Sequence, residues 1–114
     1  MSDCVFCKIV RGEIPCNKVY EDEKVLAFDD IHPMAPVHVV IIPKNHIATL
    51  MDVDTGRDNI INDLIAAAQK VAKIKKIDVS GFRIAINCNA EGGQLVFHLH
   101  VHVLGGRKLQ DELG

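Results

Sequence analysis

The chain predicts an α+β fold: an antiparallel sheet of about five strands carrying one main helix and a short N-terminal helix. Three observations predict it. Short β-branched or alternating runs recur at residues 17–21, 24–29, 37–42, 82–87 and 97–104. A single long stretch, 57–77, has apolar residues near a 3.6-residue period. The resulting order, three strands, a helix and two strands, lacks the repeated crossover helices that a parallel sheet needs. At 114 residues, 48% of them apolar and 25% charged, the chain reads as one globular domain spanning 1–114.

Each element follows from its residues. Residues 4–10, CVFCKIV, read as a short helix or turn that puts Cys4 and Cys7 on one side, ended by Gly12 and Pro15. The strands at 17–21 and 24–29 flank a polar Asp22–Glu23 turn. Residues 30–36, DIHPMAP, hold two prolines and form a loop. VHVVII at 37–42 is the most β-branched run, closed by Pro43, which cannot donate to a ladder. In 57–77 the residues Ile60, Ile61, Leu64, Ile65, Ala68, Val71 and Ala72 make one wide apolar face, and Thr55 with Asp58 resembles a capping box. FRIAIN at 82–87 and FHLHVHVL at 97–104 alternate as strands, with 88–94 a loop between them.

Composition narrows the function. Thirteen basic and 15 acidic side chains give a net charge of −2, so neither a nucleic-acid nor a membrane-surface partner is expected. No apolar stretch approaches the length of a membrane span. The start, Met-Ser-Asp-Cys, is neither basic nor apolar, so no secretion signal is expected and the four cysteines are expected to be reduced, as in the cytoplasm. Cys4-x-x-Cys7 then reads as half of a metal site or as a redox pair, with Cys16 and Cys88 as bystanders.

The chemistry concentrates in His98, His100 and His102. Strand alternation points all three to one face, with Leu99, Val101 and Val103 on the other. A single buried histidine is usually a satisfied core residue; three at alternate positions are costly to place for packing alone. A metal centre using all three is excluded by geometry. Residues four apart on a strand are separated by roughly 13 Å, and metal–nitrogen bonds are only about 2.0–2.1 Å long. Divided labour remains: one neutral imidazole attacks while its neighbours orient it and handle protons. Gly92–Gly93 precedes the triplet, and paired glycines can form an anion-holding nest, so a phosphoryl group is the natural target. His38 adds an imidazole to an otherwise apolar strand, where it needs a partner.

The stretch His98-Leu-His100-Val-His102-Val-Leu104 resembles the signature of the histidine triad superfamily, three histidines alternating with apolar residues. APVHVVIIPKNH at 35–46 is similar to a strand-and-turn block of that family. Gly92-Gly93-Gln94 before the triad and Gly105-Gly106-Arg107 after it resemble its Hint-type branch, and the similarity covers about residues 3–107.

That resemblance implies a homodimeric purine-nucleotide-binding hydrolase that cleaves nucleoside 5′-phosphoramidates, yielding AMP or GMP. It implies that His100 is the nucleophile and forms a nucleotidyl-histidine. His102 contacts phosphate and assists the leaving group, His98 orients the active ring, and His38 completes the cluster. Asp30 matches a ribose-binding carboxylate. Val5, Phe6, Ile9, Phe28, Ile31 and Val40 match an apolar base pocket; for Ile9 and Val40 a plain core role fits equally well. Gly93, Gln94 and position 95 match a phosphate loop, although Leu95 stands where relatives carry Ser. Asn87 matches the phosphoramidate branch rather than the dinucleoside-polyphosphate branch, which remains the enzymatic alternative; a nucleotide-binding regulatory module with little turnover is the non-enzymatic one. The resemblance also implies a structural zinc on Cys4, Cys7, His46 and His98, and no catalytic cofactor.

Overall fold

The computed structural model describes residues 4–111. Helix α1 spans Val5–Val10, followed by strands β1 (Lys18–Glu21), β2 (Val25–Asp29) and β3 (Val37–Pro43). A 3-10 turn at Leu50–Asp52 precedes helix α2 (Ile60–Ile74), and β4 (Phe82–Ala85) and β5 (Val101–Gly105) complete the chain. The strands form one antiparallel sheet in the order β1-β2-β3-β5-β4. The α+β architecture expected from the sequence is therefore the one observed.

Strand alternation gives this sheet two unlike faces. Val25, Ala27, Val39, Ile41, Val101 and Val103 point one way and bury themselves under α2. The helix contributes Ile60, Leu64, Ala67, Ala68, Val71 and Ala72, all buried. Three of these are alanines, so the helix backbone can approach the sheet closely. Burying each larger side chain is worth about 1.5–3 kcal/mol. The buried stripe includes Ala67, whereas Ile65, read as part of the apolar face, is 37% exposed. The other sheet face carries Leu26, Phe28, Val40 and Ile42, covered by Phe6, Ile9 and Val10 of α1 and by Cys16. That face also carries His38 and His102: Val40 pairs with His102, and His38 with Leu104.

Several boundaries depart from the sequence reading. Helix α2 starts at Ile60 rather than 57, and Thr55 with Asp58 forms no capping box. Asp58 instead accepts the N–H of Ile60 through Oδ1 (2.9 Å). The capping box lies upstream, between Thr49 and Asp52 on the 3-10 turn. Lys75, which caps the C-terminal end of α2, pairs with Asp29 at 2.9 Å. Pro43 sits within β3 as its last residue, opposite Val25. The largest difference is β5, which begins at Val101 instead of 97. Residues 97–100 have the alternating composition of a strand, but the ladder to β3 stops at the Ile41–Val101 pair although β3 itself runs on to Pro43; Leu99 gives its N–H to the carbonyl of Ile47 instead (2.6 Å).

Glycine is required where the chain leaves β5. Gly106 has φ +92°, and a Cβ there would lie 2.9 Å from Cβ of Pro36. The turn thus packs against the proline loop that precedes β3 and holds His38 opposite β5.

Candidate active site

His98 and His100 precede the ladder, so neighbouring side chains and carbonyls must fix them. His98 is fully buried, and its Nε2–H donates to the carbonyl of Pro43 at 2.8 Å. His100 donates Nδ1–H to the carbonyl of His98 itself at 2.7 Å. Phe6 packs edge-on against both rings, with centroids 5.1 Å from His100 and 5.8 Å from His98. A proton held on Nδ1 leaves the His100 Nε2 lone pair free, which is the tautomer a nucleophile needs.

His102 lies on β5 and meets His38 across the sheet, with His38 Nε2 and His102 Nδ1 2.9 Å apart. The direction of this bond follows from the far side of His38. The N–H of Met34 points at His38 Nδ1 (3.0 Å), so Nδ1 accepts and the ring proton sits on Nε2. His38 therefore donates to His102 Nδ1, and the proton of neutral His102 is placed on Nε2. Asp30 Oδ2 lies 3.4 Å from His38 Nε2, while Asp30 Oδ1 accepts the N–H of His32 at 2.8 Å. Burial, with neighbouring His100 and His38, lowers the pKa of His102 to about 4. Burial also lowers that of His38, against the pull of Asp30, and that of His98. These three imidazoles are thus neutral at pH 7.

The second imidazole cluster lies under α1. Cys4 Sγ is 3.3 Å and Cys7 Sγ 3.6 Å from His98 Nδ1; His46 Nδ1 is 3.3 Å from Cys7 Sγ and 3.2 Å from His98 Nδ1. All four atoms lie within 4.8 Å of one another. A tetrahedral zinc has edges of roughly 3.3 Å between nitrogens and roughly 3.5 Å between nitrogen and sulfur, so the donor set fits such an ion. The donation of His98 Nε2–H to Pro43 leaves Nδ1 free to ligate. Burial and the adjacent Cys4 push the Cys7 thiol up, a repulsion that a bound cation would relieve.

The loop after β4 is tightly self-bonded. Asn87 Nδ2 donates to the carbonyl of Gly92 (2.7 Å). A Cβ on Gly92 would lie 2.5 Å from the carbonyl oxygen of Cys88, so only glycine fits there. Buried Gln94 accepts the N–H of Asn89 and donates to the carbonyls of Ala48 and Val96. The N–H groups of Gly93 and Gln94 are spent on Ala90 and Asn89. The anion nest expected from the glycine pair is therefore closed at these two donors, whereas the N–H of Leu95 has no protein partner among the described residues. The Leu95 side chain is 92% exposed.

The residues matched to a base pocket divide by burial. Phe28 and Val40 are buried, Phe6 and Ile9 half-buried, and Val5 and Ile31 are 38% and 86% exposed. Phe6 meets Phe28 edge-on at 5.8 Å. Sequence reading missed the contributions of Met34 and Pro43, which act through backbone N–H and C=O and leave no side-chain signal.

Comparisons with known proteins agree with this fold. The HIT domain family matches residues 11–109. The chain is 44% identical to the purine nucleoside phosphoramidase of Escherichia coli strain K12, over 94% of this chain and 90% of that one. A histidine triad protein from Clostridium difficile superposes with TM-score 0.95 at 46% identity, covering 99% and 98% of the two chains. A histidine triad nucleotide-binding protein from Candida albicans superposes at 0.81 with 31% identity, covering 98% and 87%. By sequence and by structure, the chain belongs to the HIT domain family.

Proposed function

We propose that the protein hydrolyses purine nucleoside 5′-phosphoramidates through a covalent intermediate on His100. The observation that carries this reading is the 2.7 Å bond from His100 Nδ1–H to the His98 carbonyl, which fixes the attacking tautomer beside a histidine pair whose proton direction is set. The name of the Escherichia coli relative supports the substrate class.

Catalysis proceeds in two steps. His100 Nε2 attacks the α-phosphorus and the P–N bond breaks, its electron pair going to nitrogen. The departing amine takes the proton of His102 Nε2–H while the proton of His38 Nε2 moves onto His102 Nδ1, the positive charge of the phosphorylated His100 ring offsetting the charge left on His38. Water then attacks the nucleotidyl-histidine, gives a proton to His102 Nε2 and displaces His100, the Nδ1 proton returns to His38, and the nucleoside monophosphate leaves with the starting tautomers restored. Asp30 offers carboxylate oxygens to the ribose hydroxyls, and Phe6, Phe28, Ile9, Val40, Val5 and Ile31 form the wall and rim that receive the purine. Gly93, Gln94 and Asn87 shape the loop that presents the Leu95 N–H to phosphate. Asn87 favours this reading over dinucleoside polyphosphate hydrolysis.

Cys4, Cys7, His46 and His98 would hold a structural zinc, closed to substrate because all four positions are filled. The ion would supply rigidity, tying α1 and Phe6 to the segment that carries His100. Thiolate ligands require a reducing compartment, consistent with the cytoplasm. The open edge of β4 is where a second copy would extend the sheet into a homodimer. The decisive experiment incubates wild type and His100→Ala with an adenosine phosphoramidate bearing a fluorescent amine. The variant should lose about 10⁴-fold or more in turnover yet still bind AMP; undiminished release would overturn the assignment. Saturable AMP binding with negligible turnover by wild type would favour the regulatory module.

A further inference from the structure

The sheet face that carries His38 and His102 continues beyond them. From β2 to β4 it passes from Phe28 and Val40, through His38 and His102, to Ala85 and Arg83. On the far side a cleft of about 430 Å³ opens, with His38 and His102 in its wall. Its size falls within the range of roughly 300–1,000 Å³ common for small-molecule sites. Met34, Ala85, Leu104 and Leu109 give it an apolar lining, and Arg83 and Arg107 give it charge.

That charge is one-sided. No lining residue is Asp or Glu, although acidic residues outnumber basic ones in the chain. Among the described residues neither arginine meets a carboxylate. Arg83 Nη2 donates to the carbonyl of Gln110 at 2.6 Å, and Arg107 Nη1 to that of Lys108 at 3.0 Å. A guanidinium has five N–H donors, so both keep donors to spare and match a planar carboxylate. Arg83 pairs with Leu104, two residues past His102, which is roughly 7 Å along the strand and within the span of a short amine.

We infer that this cleft is the leaving-group subsite and that Arg83 and Arg107 select amines bearing a carboxylate. The inference rests on the phosphoramidase reading. With the purine on the Phe28 side and phosphorus at His100 and His102, the amine projects into the cleft. When the P–N bond breaks, the electron pair and one proton go to nitrogen. The carboxylate takes no part in bond making and stays held by the arginines.

The test compares adenosine 5′-phosphoramidates of 3-aminopropanoate, 3-aminopropanamide and 1,3-diaminopropane at low ionic strength. Wild type should show kcat/KM about tenfold higher for the carboxylate than for the amide, equivalent to about 1.4 kcal/mol, and lowest for the diamine. Arg83→Gln and Arg107→Gln should each bring the carboxylate-to-amide ratio toward one. Arg83→Lys should keep part of it, and Lys73→Gln, on the opposite side of the molecule, all of it. A wild-type ratio of one overturns the inference. So does an unchanged ratio in both glutamine variants, even if all three substrates slow together, because the arginines would then only hold the C-terminal segment or a subunit contact. If wild type cleaves none of the three, the phosphoramidase reading itself fails, so the two failures are distinguishable.

Discussion

Among the described residues two clusters of ligand-type side chains lie against one small sheet, Cys4-Cys7-His46-His98 and Asp30-His38-His102, and each brings its donor atoms within 4.8 Å of one another. By distance alone both could hold a metal. The far nitrogen of one histidine separates them. In the first, His98 faces a carbonyl, keeps its proton there and turns a lone pair toward the cysteines. In the second, His38 faces the N–H of Met34, so its proton is forced toward His102 and Asp30. A backbone acceptor makes a ligand; a backbone donor makes a proton carrier. Burial of neutral rings is common to both and does not discriminate.

The largest expected effect that sharpens this contrast is on His102. His102→Ala should lower kcat by about 10²–10⁴-fold, the usual size of a lost general acid. The loss should shrink for phosphoramidates with better leaving groups, which need less protonation; an equal loss for all would make the residue a binding group instead. Next is the metal. Cys4→Ser with Cys7→Ser should remove one bound zinc per chain, read by elemental analysis, and lower Tm by about 10 °C or more, since a few kcal/mol are at stake. Cobalt titration of the stripped protein should give one equivalent with a thiolate charge-transfer band. A second equivalent that abolished turnover would break the comparison, because it would place a metal on His38.

Protons supply a smaller effect. His102 has a folded pKa of about 4, below its unfolded value of about 6.5. Between those values the unfolded chain binds more protons, so stability should fall as pH drops from about 6.5 and level off below about 4. Tm measured across that window should fall less steeply in His102→Asn; equal slopes would show that other groups govern the acid limb. Smallest is Asn87→Ala, which leaves the Gly92 carbonyl without its 2.7 Å donor. About 1 kcal/mol of stability should be lost, measured by urea denaturation, with kcat/KM reduced a few-fold.

Most of the sheet was legible because β-branched and alternating runs report a half-buried surface directly. The triad strand is shorter than its pattern at 97–100, since alternation reports which side a residue faces and not where its N–H groups find acceptors: β3 runs on past the last pair with β5, yet Leu99 bonds the carbonyl of Ile47. The Thr55–Asp58 box failed for a related reason. Several Asp and Thr residues precede α2, and tertiary packing decides which of them reaches a free N–H; here Thr49 and Asp52 cap one turn and Asp58 meets Ile60. The chemical groups were visible as residue types, but their protonation pattern was not. That pattern depends on Pro43, Met34 and His98 acting through main-chain atoms, which every residue possesses.

The acceptor that orients His100 is the peptide carbonyl of His98. No side-chain replacement can delete it. Mutational drift can therefore change the amino acids around the nucleophile without erasing its preferred tautomer, while a small displacement of the backbone at residue 98 would disarm it with every histidine still in place.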